Sequence, residues 1–372
     1  MVESVLLAGG GTAGHVNPLL AVADELRRRH PGATLTVLGT ATGLEAELVP
    51  VRGYPLREVP RVPLPRRPTA DWLRLPGRLG AAVRAADAAL TSTRAQVVVG
   101  FGGYVSTPAY LAARRRGIPV VVHEQNARPG LANRLGARWA RSVAVTFPGT
   151  PLPGAVVTGL PLRTAVADLV AARRDDGAAV RADAAARLGL DPGRPVLVVT
   201  GGSLGALSLN RAASGAAADL LAAGAQVLHL TGRGKADAVR DVLATLAPEA
   251  AAGYHVLEYL PEMERALAVA DLVLCRAGAG TVSELAALGV PAVYVPLPVG
   301  NGEQRLNAAP VVGAGGGLLV DDAALDAGLV RTTLVPLLAD PVRLAAMGRA
   351  AAGVGVTDGA ARVADLVEAA AA

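Results

Sequence analysis

Four short aliphatic runs in this chain each end in glycines and then open into a helical pattern. The junctions read Ala8-Gly9-Gly10-Gly11-Thr12-Ala13-Gly14-His15, Gly100-Phe101-Gly102-Gly103-Tyr104, Thr200-Gly201-Gly202-Ser203-Leu204-Gly205 and Ala277-Gly278-Ala279-Gly280-Thr281. A strand that turns through glycine into a helix leaves unpaired backbone N–H groups at the helix start. Those groups and the helix dipole favour an anion, commonly a phosphate. One such junction is weak evidence. Two in each half of the chain predict a two-lobed protein that grips a phosphorylated ligand.

The 372 residues accommodate two α/β domains. Hydrophobic residues reach 52% while aromatics are only 3%, so the cores must be built from Ala, Val and Leu. The net charge of +5 rests almost wholly on arginine, Lys235 being the one lysine. A codon bias toward Ala, Arg and Gly accounts for that composition, and the excess also suits an acidic partner. No basic run with interleaved aromatics occurs, so nucleic acid is not expected as a partner. Cys275 is the only cysteine, which excludes a disulfide framework and a cysteine metal site. No signal-peptide pattern and no apolar span of about 18 residues is found, so a cytoplasmic protein is expected.

Aliphatic strands alternate with helical patterns. Strands are expected at Ser4–Ala8, 35–38, 97–99 and 120–122, then again at 196–199, 227–230, 272–274 and 292–295. Helices are expected at 18–29 and 105–115. Such alternation predicts parallel sheets with helices on both faces. Gly117-Ile118-Pro119 before the strand at 120 is echoed by Gly289-Val290-Pro291 before the strand at 292, which points to two similar domains. Proline and glycine cluster at 151–162, the expected boundary. This divides the chain into 1–160, completed by a C-terminal helix at about 354–372, and 161–353. A loop is expected at Asp175-Asp176-Gly177 within an Ala-rich helical stretch.

Gly9-x-Gly11-x-x-Gly14 matches a dinucleotide fingerprint in form, but the second strand ends Leu38-Gly39-Thr40 without the carboxylate that would hold a ribose. Glu45 comes only later, on a helical pattern, and a nicotinamide cofactor is not expected. His15 stands at the start of the first helix, where the positive dipole end keeps an imidazole neutral and competent as a base. His123-Glu124-Gln125-Asn126 places four polar residues at the C-terminal end of a strand, the usual ligand edge of an open α/β sheet. Glu284, early in the helix after Gly280, either satisfies the dipole or accepts from a ribose diol. No His/Asp/Glu cluster has metal-ligand spacing, and no cofactor is expected. Between 61 and 84, six arginines accompany Trp72, Leu73, Leu75, Leu79 and Val83. That mixture fits a surface resting on anionic lipid headgroups, or a loop and helix that bury Trp72 in the core.

Together these stretches resemble the MurG family of peptidoglycan glycosyltransferases, which convert lipid I to lipid II. The resemblance is carried by 10–15, 102–106, 123–126, 201–206, 278–284, and Gln304 with Asn307-Ala308, in order along most of the chain. It implies a GT-B fold: two Rossmann-like doubly wound parallel-sheet domains facing across a cleft, the last helix returning to the first domain. It implies a donor, UDP-N-acetylglucosamine, held in the second domain. Glu284 would bind the ribose, with Leu260 beside the uracil. Ser203, Ala279, Gly280, Thr281, Val282, Ser283 and Arg163 would meet the diphosphate, and Gln304 the sugar. Thr12, Ala13, Gly14 and Asn126 would reach the donor from the first domain, while Gly103, Tyr104 and His123 would face the lipid I acceptor. His15 or Glu124 would be the catalytic base, His15 being favoured. Trp72, Arg74, Leu75, Arg78 and Leu79 would form a patch on the anionic membrane surface, making the protein peripheral on the cytoplasmic face. Two positions depart from the family pattern: Leu204 where many relatives carry Gln, and Ala13 where many carry Gly.

The mechanism so implied is an inverting, metal-independent displacement at the anomeric carbon, the charge on the leaving UDP being stabilised by helix N-termini at Ser203 and Gly280 and by Arg163. A transferase using another UDP-sugar, a UDP-sugar epimerase and a non-catalytic UDP-sugar sensor are the competing readings.

Overall fold

The computed structural model describes residues 2–62 and 71–372, the side chains of 71–73 excepted. It divides into two compact units, residues 1–163 with 357–372, and residues 164–356.

Unit one holds seven strands: β1 Ser4–Ala8, β2 Thr34–Gly39, β3 Leu56–Glu58, β4 Val97–Gly100, β5 Val120–Glu124, β6 Ser142–Val145 and β7 Ala155–Val157. Every pairing is parallel, in the order β3-β2-β1-β4-β5-β6-β7. The central strands are continuous aliphatic runs because helices cover both sheet faces. Alternation along β1 sorts its side chains: Val5 and Leu7 join Leu19, Val99 and Val363 on one face, and Leu6 and Ala8 join Val98, Leu90 and Tyr110 on the other. The final helix, Gly359–Ala371, buries Val363 and Val367 in the first of these clusters. Beside them Arg29 reaches Asp365 at 2.6 Å and His30 reaches Glu368 at 2.9 Å.

Unit two holds β8 Val196–Thr200, β9 Gln226–Leu230, β10 Tyr254–Leu257, β11 Leu272–Cys275, β12 Ala292–Tyr294 and β13 Gly317–Leu319. These pair in parallel as β10-β9-β8-β11-β12-β13. Leu197, Val199, Leu272, Leu274 and Val293 share one core with Leu209, Leu220 and Leu334. The helix Thr164–Leu188 breaks at Asp176, whose φ of −151° and ψ of 83° are not helical. The Asp176 carboxylate accepts the Ala179 amide at 2.9 Å and so caps the second half.

Candidate functional site

In each sheet the chain order reverses at one place: between β1 and β4 in unit one, and between β8 and β11 in unit two. Loops leaving those neighbouring strands run to opposite faces and open a crevice at the C-terminal edge, where ligands of open α/β sheets bind. The four glycine junctions are the loops after β1, β4, β8 and β11. Each unit therefore has one crevice flanked by two glycine junctions.

The unit-one crevice carries a carboxylate of the protein's own. Glu45, fully buried on the helix Leu44–Val51, accepts the Gly11 amide at 2.9 Å, the Thr40 amide at 3.0 Å and the Thr40 hydroxyl at 2.7 Å. Burial, the largest influence, would raise its pKa, but the hydrogen bonds from Gly11 and Thr40 together hold it below the ordinary carboxylate value. A carboxylate absent from the end of β2 thus arrives from the next helix and takes the Gly11 amide of this junction. The second junction closes against the first: Gly103 has φ +78°, and a Cβ there would meet the Gly10 carbonyl oxygen at 2.6 Å. Ala13 is not strained, since Arg94 is the only non-glycine with positive φ among the described residues.

His15 lies in the first turn of the helix Ala13–Arg29, behind the N-cap Thr12. Its Nδ1 is 3.1 Å from the Gly10 carbonyl oxygen and 3.0 Å from the Thr12 hydroxyl. A carbonyl only accepts, so Nδ1 carries the proton and the Nε2 lone pair is left for chemistry. Burial lowers the His15 pKa below 6.5, against the opposing pull of Glu124, the Gly10 carbonyl and Glu45. The imidazole is a neutral base at pH 7, placed beside Gly102.

The polar run 123–126 differs from its expected role. His123 is fully buried, with Nε2 3.1 Å from the Gly159 carbonyl and Nδ1 3.1 Å from the Gln125 amide nitrogen. Burial takes its pKa down to about 4, the Gly159 carbonyl opposing. Both ring nitrogens are engaged inside the protein, so His123 does not face an acceptor. Glu124, 2% exposed, accepts from the Asn126 amide at 2.9 Å, the Gly130 amide at 3.0 Å and Asn133 Nδ2 at 2.9 Å. Asn133 in turn accepts from the Tyr110 hydroxyl at 2.8 Å. These bonds fix the loop after β5 and set a carboxylate near His15. They leave Glu124 poorly placed to take a proton itself. Tyr104 is exposed, with the Arg61 guanidinium 5.4 Å from its ring centre. The two share a recess of about 90 Å³ with Gly10, Gly11 and Thr40.

In unit two the third junction is a tight turn. Gly202 donates to the Thr200 hydroxyl at 3.2 Å, and Gly205 donates to the Gly202 carbonyl at 2.9 Å. Gly205 has φ +66° and packs on the Thr231 carbonyl, which excludes any Cβ. Lys235 holds the turn from outside through the Leu204 carbonyl at 2.5 Å. Leu204 is 81% exposed and packs on nothing that would need a particular side chain. Contrary to the expectation from sequence, Ser203 does not stand at a helix start: the helix is Leu207–Gly215, with Ala206 as its N-cap.

The fourth junction does open directly into a helix, Ala279–Leu288, N-capped by Gly278. No atom lies within 4 Å of where a Cβ would stand on Gly278 or Gly280, so the space above this helix end is open. Thr281, Val282 and Ser283 continue the helix, with Glu284 in its second turn. Leu260 follows β10, and Gln304 lies on the helix Glu303–Gly313 with Oε1 accepting the Leu297 amide at 2.9 Å. Arg163 closes unit one. Sequence reasoning missed Arg276, directly after β11. Its guanidinium bonds Asp322 at 2.6 Å, Ser208 at 3.0 Å and the Val295 carbonyl at 3.2 Å, tying the third and fourth junctions to the end of β12. Ser208 also donates to Asp322 at 2.6 Å.

Of the basic and apolar patch, Trp72 lies outside the described side chains. Arg74 and Arg78 are exposed and Leu75 is half-buried on the helix Asp71–Thr93. Leu79 packs against the unit-one core and belongs to the fold, not to a free surface. Among the described residues, no helix is long and apolar enough to cross a membrane, and no cluster of His, Cys, Asp and Glu has the makings of a metal site.

Residues 5–145 match the glycosyltransferase family 28 N-terminal domain, and residues 196–363 match its C-terminal domain. A Nocardioides protein named UDP-N-acetylglucosamine–N-acetylmuramyl-(pentapeptide) pyrophosphoryl-undecaprenol N-acetylglucosamine transferase is 57% identical over 98% of this chain and 97% of its own length. A Bifidobacterium longum protein of the same name is 55% identical over 96% of this chain and 94% of its own. The crystal structure of Acinetobacter baumannii MurG superposes with a TM-score of 0.76 at 29% identity, covering 99% of both chains. A Neisseria meningitidis UDP-GlcNAc 2-epimerase, at 14% identity and a TM-score of 0.70 over 99% of this chain and all of its own, shares the fold alone.

Proposed function

The chain belongs to glycosyltransferase family 28, and within it to the MurG N-acetylglucosaminyltransferases, and from that premise we infer the reaction and the residues that perform it. The reaction is transfer of N-acetylglucosamine from its UDP ester to lipid I, the N-acetylmuramyl-(pentapeptide) pyrophosphoryl-undecaprenol acceptor, giving lipid II. The observation that carries this is identity above one half, over nearly the whole chain, with transferases named for that reaction.

His15 Nε2 takes the proton of the muramoyl 4-hydroxyl as that oxygen attacks the anomeric carbon. The carbon–oxygen bond to the diphosphate breaks, and its electron pair leaves on UDP. One displacement inverts the α-linked donor to a β-linkage. The open helix start at Gly278–Gly280 and the Ser203 turn offer backbone amides to the charge growing on the diphosphate, and losing one such donor costs about 3–4 kcal/mol of barrier. Glu284 binds the ribose diol, with Leu260 at the uracil, Arg163 at the diphosphate and Gln304 at the sugar through its amide nitrogen. Thr12, Ala13, Gly14 and Asn126 serve the donor as the resemblance assigns, and Gly103 and Tyr104 the acceptor. Glu124 acts as a positioning residue that holds the 126–133 loop and supports the charge arriving on His15. Arg74, Leu75 and Arg78 bring the enzyme to the anionic cytoplasmic face of the membrane, where lipid I resides.

Incubation with lipid I and each of UDP-N-acetylglucosamine, UDP-glucose and UDP-galactose tests the reading. Lipid II and UDP are expected from the first donor. Product from another donor alone, or a changed sugar without lipid I, would replace this function with a related transferase or an epimerase.

A further inference from the structure

Unit two carries a second cavity, of about 680 Å³, at the opposite edge of its sheet from the glycine junctions. Its floor is formed by the residues that enter β8, β11 and β12, namely Pro195, Asp271 and Pro291. Its walls are the helices Thr164–Leu188 and Pro341–Val354. Strands of four or five residues, rising roughly 3.3 Å each, put about 15 Å of sheet between the two edges. This cavity is therefore separate from the crevice proposed for the donor.

Its charge is one-sided. Arg173, Arg181, Arg194 and Arg349 line it, against the single acid Asp271. That acid is already spent: its carboxylate takes Arg181 through two bonds, at 2.8 and 3.2 Å, and the Val196 amide at 2.8 Å. Arg181 uses its other donors on the Pro192, Arg194 and Val269 carbonyls. Arg194 is bound to the Gly224 and Ala225 carbonyls. Arg173 differs. Its Nη1 is buried and has no hydrogen-bond partner among the described residues. Buried guanidinium nitrogens are ordinarily paired; this one is enclosed by protein without a partner, and the side chain that bears it lines the basic cavity. Burial and the neighbouring Arg181 charge both disfavour the Arg173 cation, with Asp271 only partly compensating. Arg349 adds an exposed cation from the other wall. The volume falls within the range of small-molecule sites, about 300–1,000 Å³, and Val290, Leu338 and Leu344 give the wall an apolar part.

We propose that this cavity is a second ligand site, for a small organic polyanion bearing phosphate or clustered carboxylates, whose charged group is held by Arg173 and Arg349. The apolar wall takes the body of the ligand. The site does not depend on the transfer reaction and uses none of its residues.

The test uses the full-length protein with UDP at saturation, so that the donor crevice is filled. Pyrophosphate and citrate are titrated at constant ionic strength, and binding is read by calorimetry and by the shift in melting temperature. Saturable binding of either anion is expected, and the stronger of the two identifies the charged group. Arg173→Gln should weaken it by about tenfold or more, as removal of a charge-assisted hydrogen bond does. Arg349→Gln, an exposed change that leaves the fold intact, should weaken it in the same direction. The turnover rate at saturating donor and acceptor should be unchanged in both variants. A melting shift that only tracks ionic strength, or binding unaltered in Arg349→Gln and Arg173→Gln, overturns the site.

Discussion

The Glu45 carboxylate accepts the Gly11 amide at 2.9 Å, and this one bond divides the labour of the four glycine junctions. The first junction has the form of a phosphate loop, but its Gly11 amide is satisfied from within. Glu45→Ala removes three hydrogen bonds and leaves the Gly11 and Thr40 amides without an acceptor. A loss of about 1–3 kcal/mol of unfolding free energy is expected. Because the folded pKa of Glu45 is depressed, its contribution is fully present above the unfolded carboxyl value near 4.3 and is lost as pH falls through the lower folded value. Urea denaturation of wild type and Glu45→Ala at pH 7 and at pH 3 checks this: the gap between them should shrink at the lower pH.

His15 is expected to behave as a base with a pKa below the usual histidine value of about 6.5. The acid limb of kcat/KM should therefore bend below pH 6.5, and activity should hold flat from there to neutrality. His15→Ala should lower kcat by about 100-fold or more. Glu124→Gln keeps an acceptor for two of the three donors, so its loss should be smaller and its acid limb should shift further down, because the charge that raises His15 is gone. A full loss in Glu124→Gln with an active His15→Ala would transfer the role of base to Glu124.

The parts of this architecture that were legible in the sequence are those written in continuous aliphatic runs. β1, β4, β5, β8 and β11 are each built on three or four consecutive Val, Leu or Ala residues and are buried throughout. The edge strands were not legible. β3 is Leu-Arg-Glu, with no aliphatic run, and β7 is Ala-Val-Val, three mostly exposed residues inside the proline- and glycine-rich stretch 151–162 that reads as a boundary. The break at Asp176 was legible because two aspartates and a glycine interrupt an Ala-rich helix. At the site, residue type and spacing located the loops but not the direction of their side chains. His123, Glu124 and Gln125 look like a ligand edge in sequence and are an internal hydrogen-bond network in the fold. Glu45 and Arg276 act on glycine loops from 34 residues downstream and from across 46 residues to Asp322, separations at which no local pattern exists.

Glu284 is expected to carry donor affinity with little part in the chemical step. Glu284→Ala should raise the KM for UDP-N-acetylglucosamine roughly 10- to 100-fold, the range for losing hydrogen bonds to a charged group, with kcat changed much less. Steady-state kinetics at saturating lipid I decides. An unchanged donor KM would remove Glu284 from the ribose.

Membrane attachment is expected to rest on Arg74, Arg78 and Leu75. Leu79 is committed to the core, so its replacement would test folding and not attachment. Each arginine near an anionic surface contributes about 1 kcal/mol, so replacing both by glutamine should weaken partition onto phosphatidylglycerol vesicles by roughly 30-fold. Leu75→Asp should weaken it further by removing apolar contact. Raising salt from 0.1 to 1 M, which shortens the screening length from about 10 to about 3 Å, should release wild type and leave the arginine variants little changed. Transfer to a short-chain, water-soluble acceptor should be equal in all of these proteins, because the residues lie on the helix Asp71–Thr93 and outside the catalytic loops. Vesicle sedimentation measures the partition, and affinity that is the same for wild type and the double arginine variant would remove the patch.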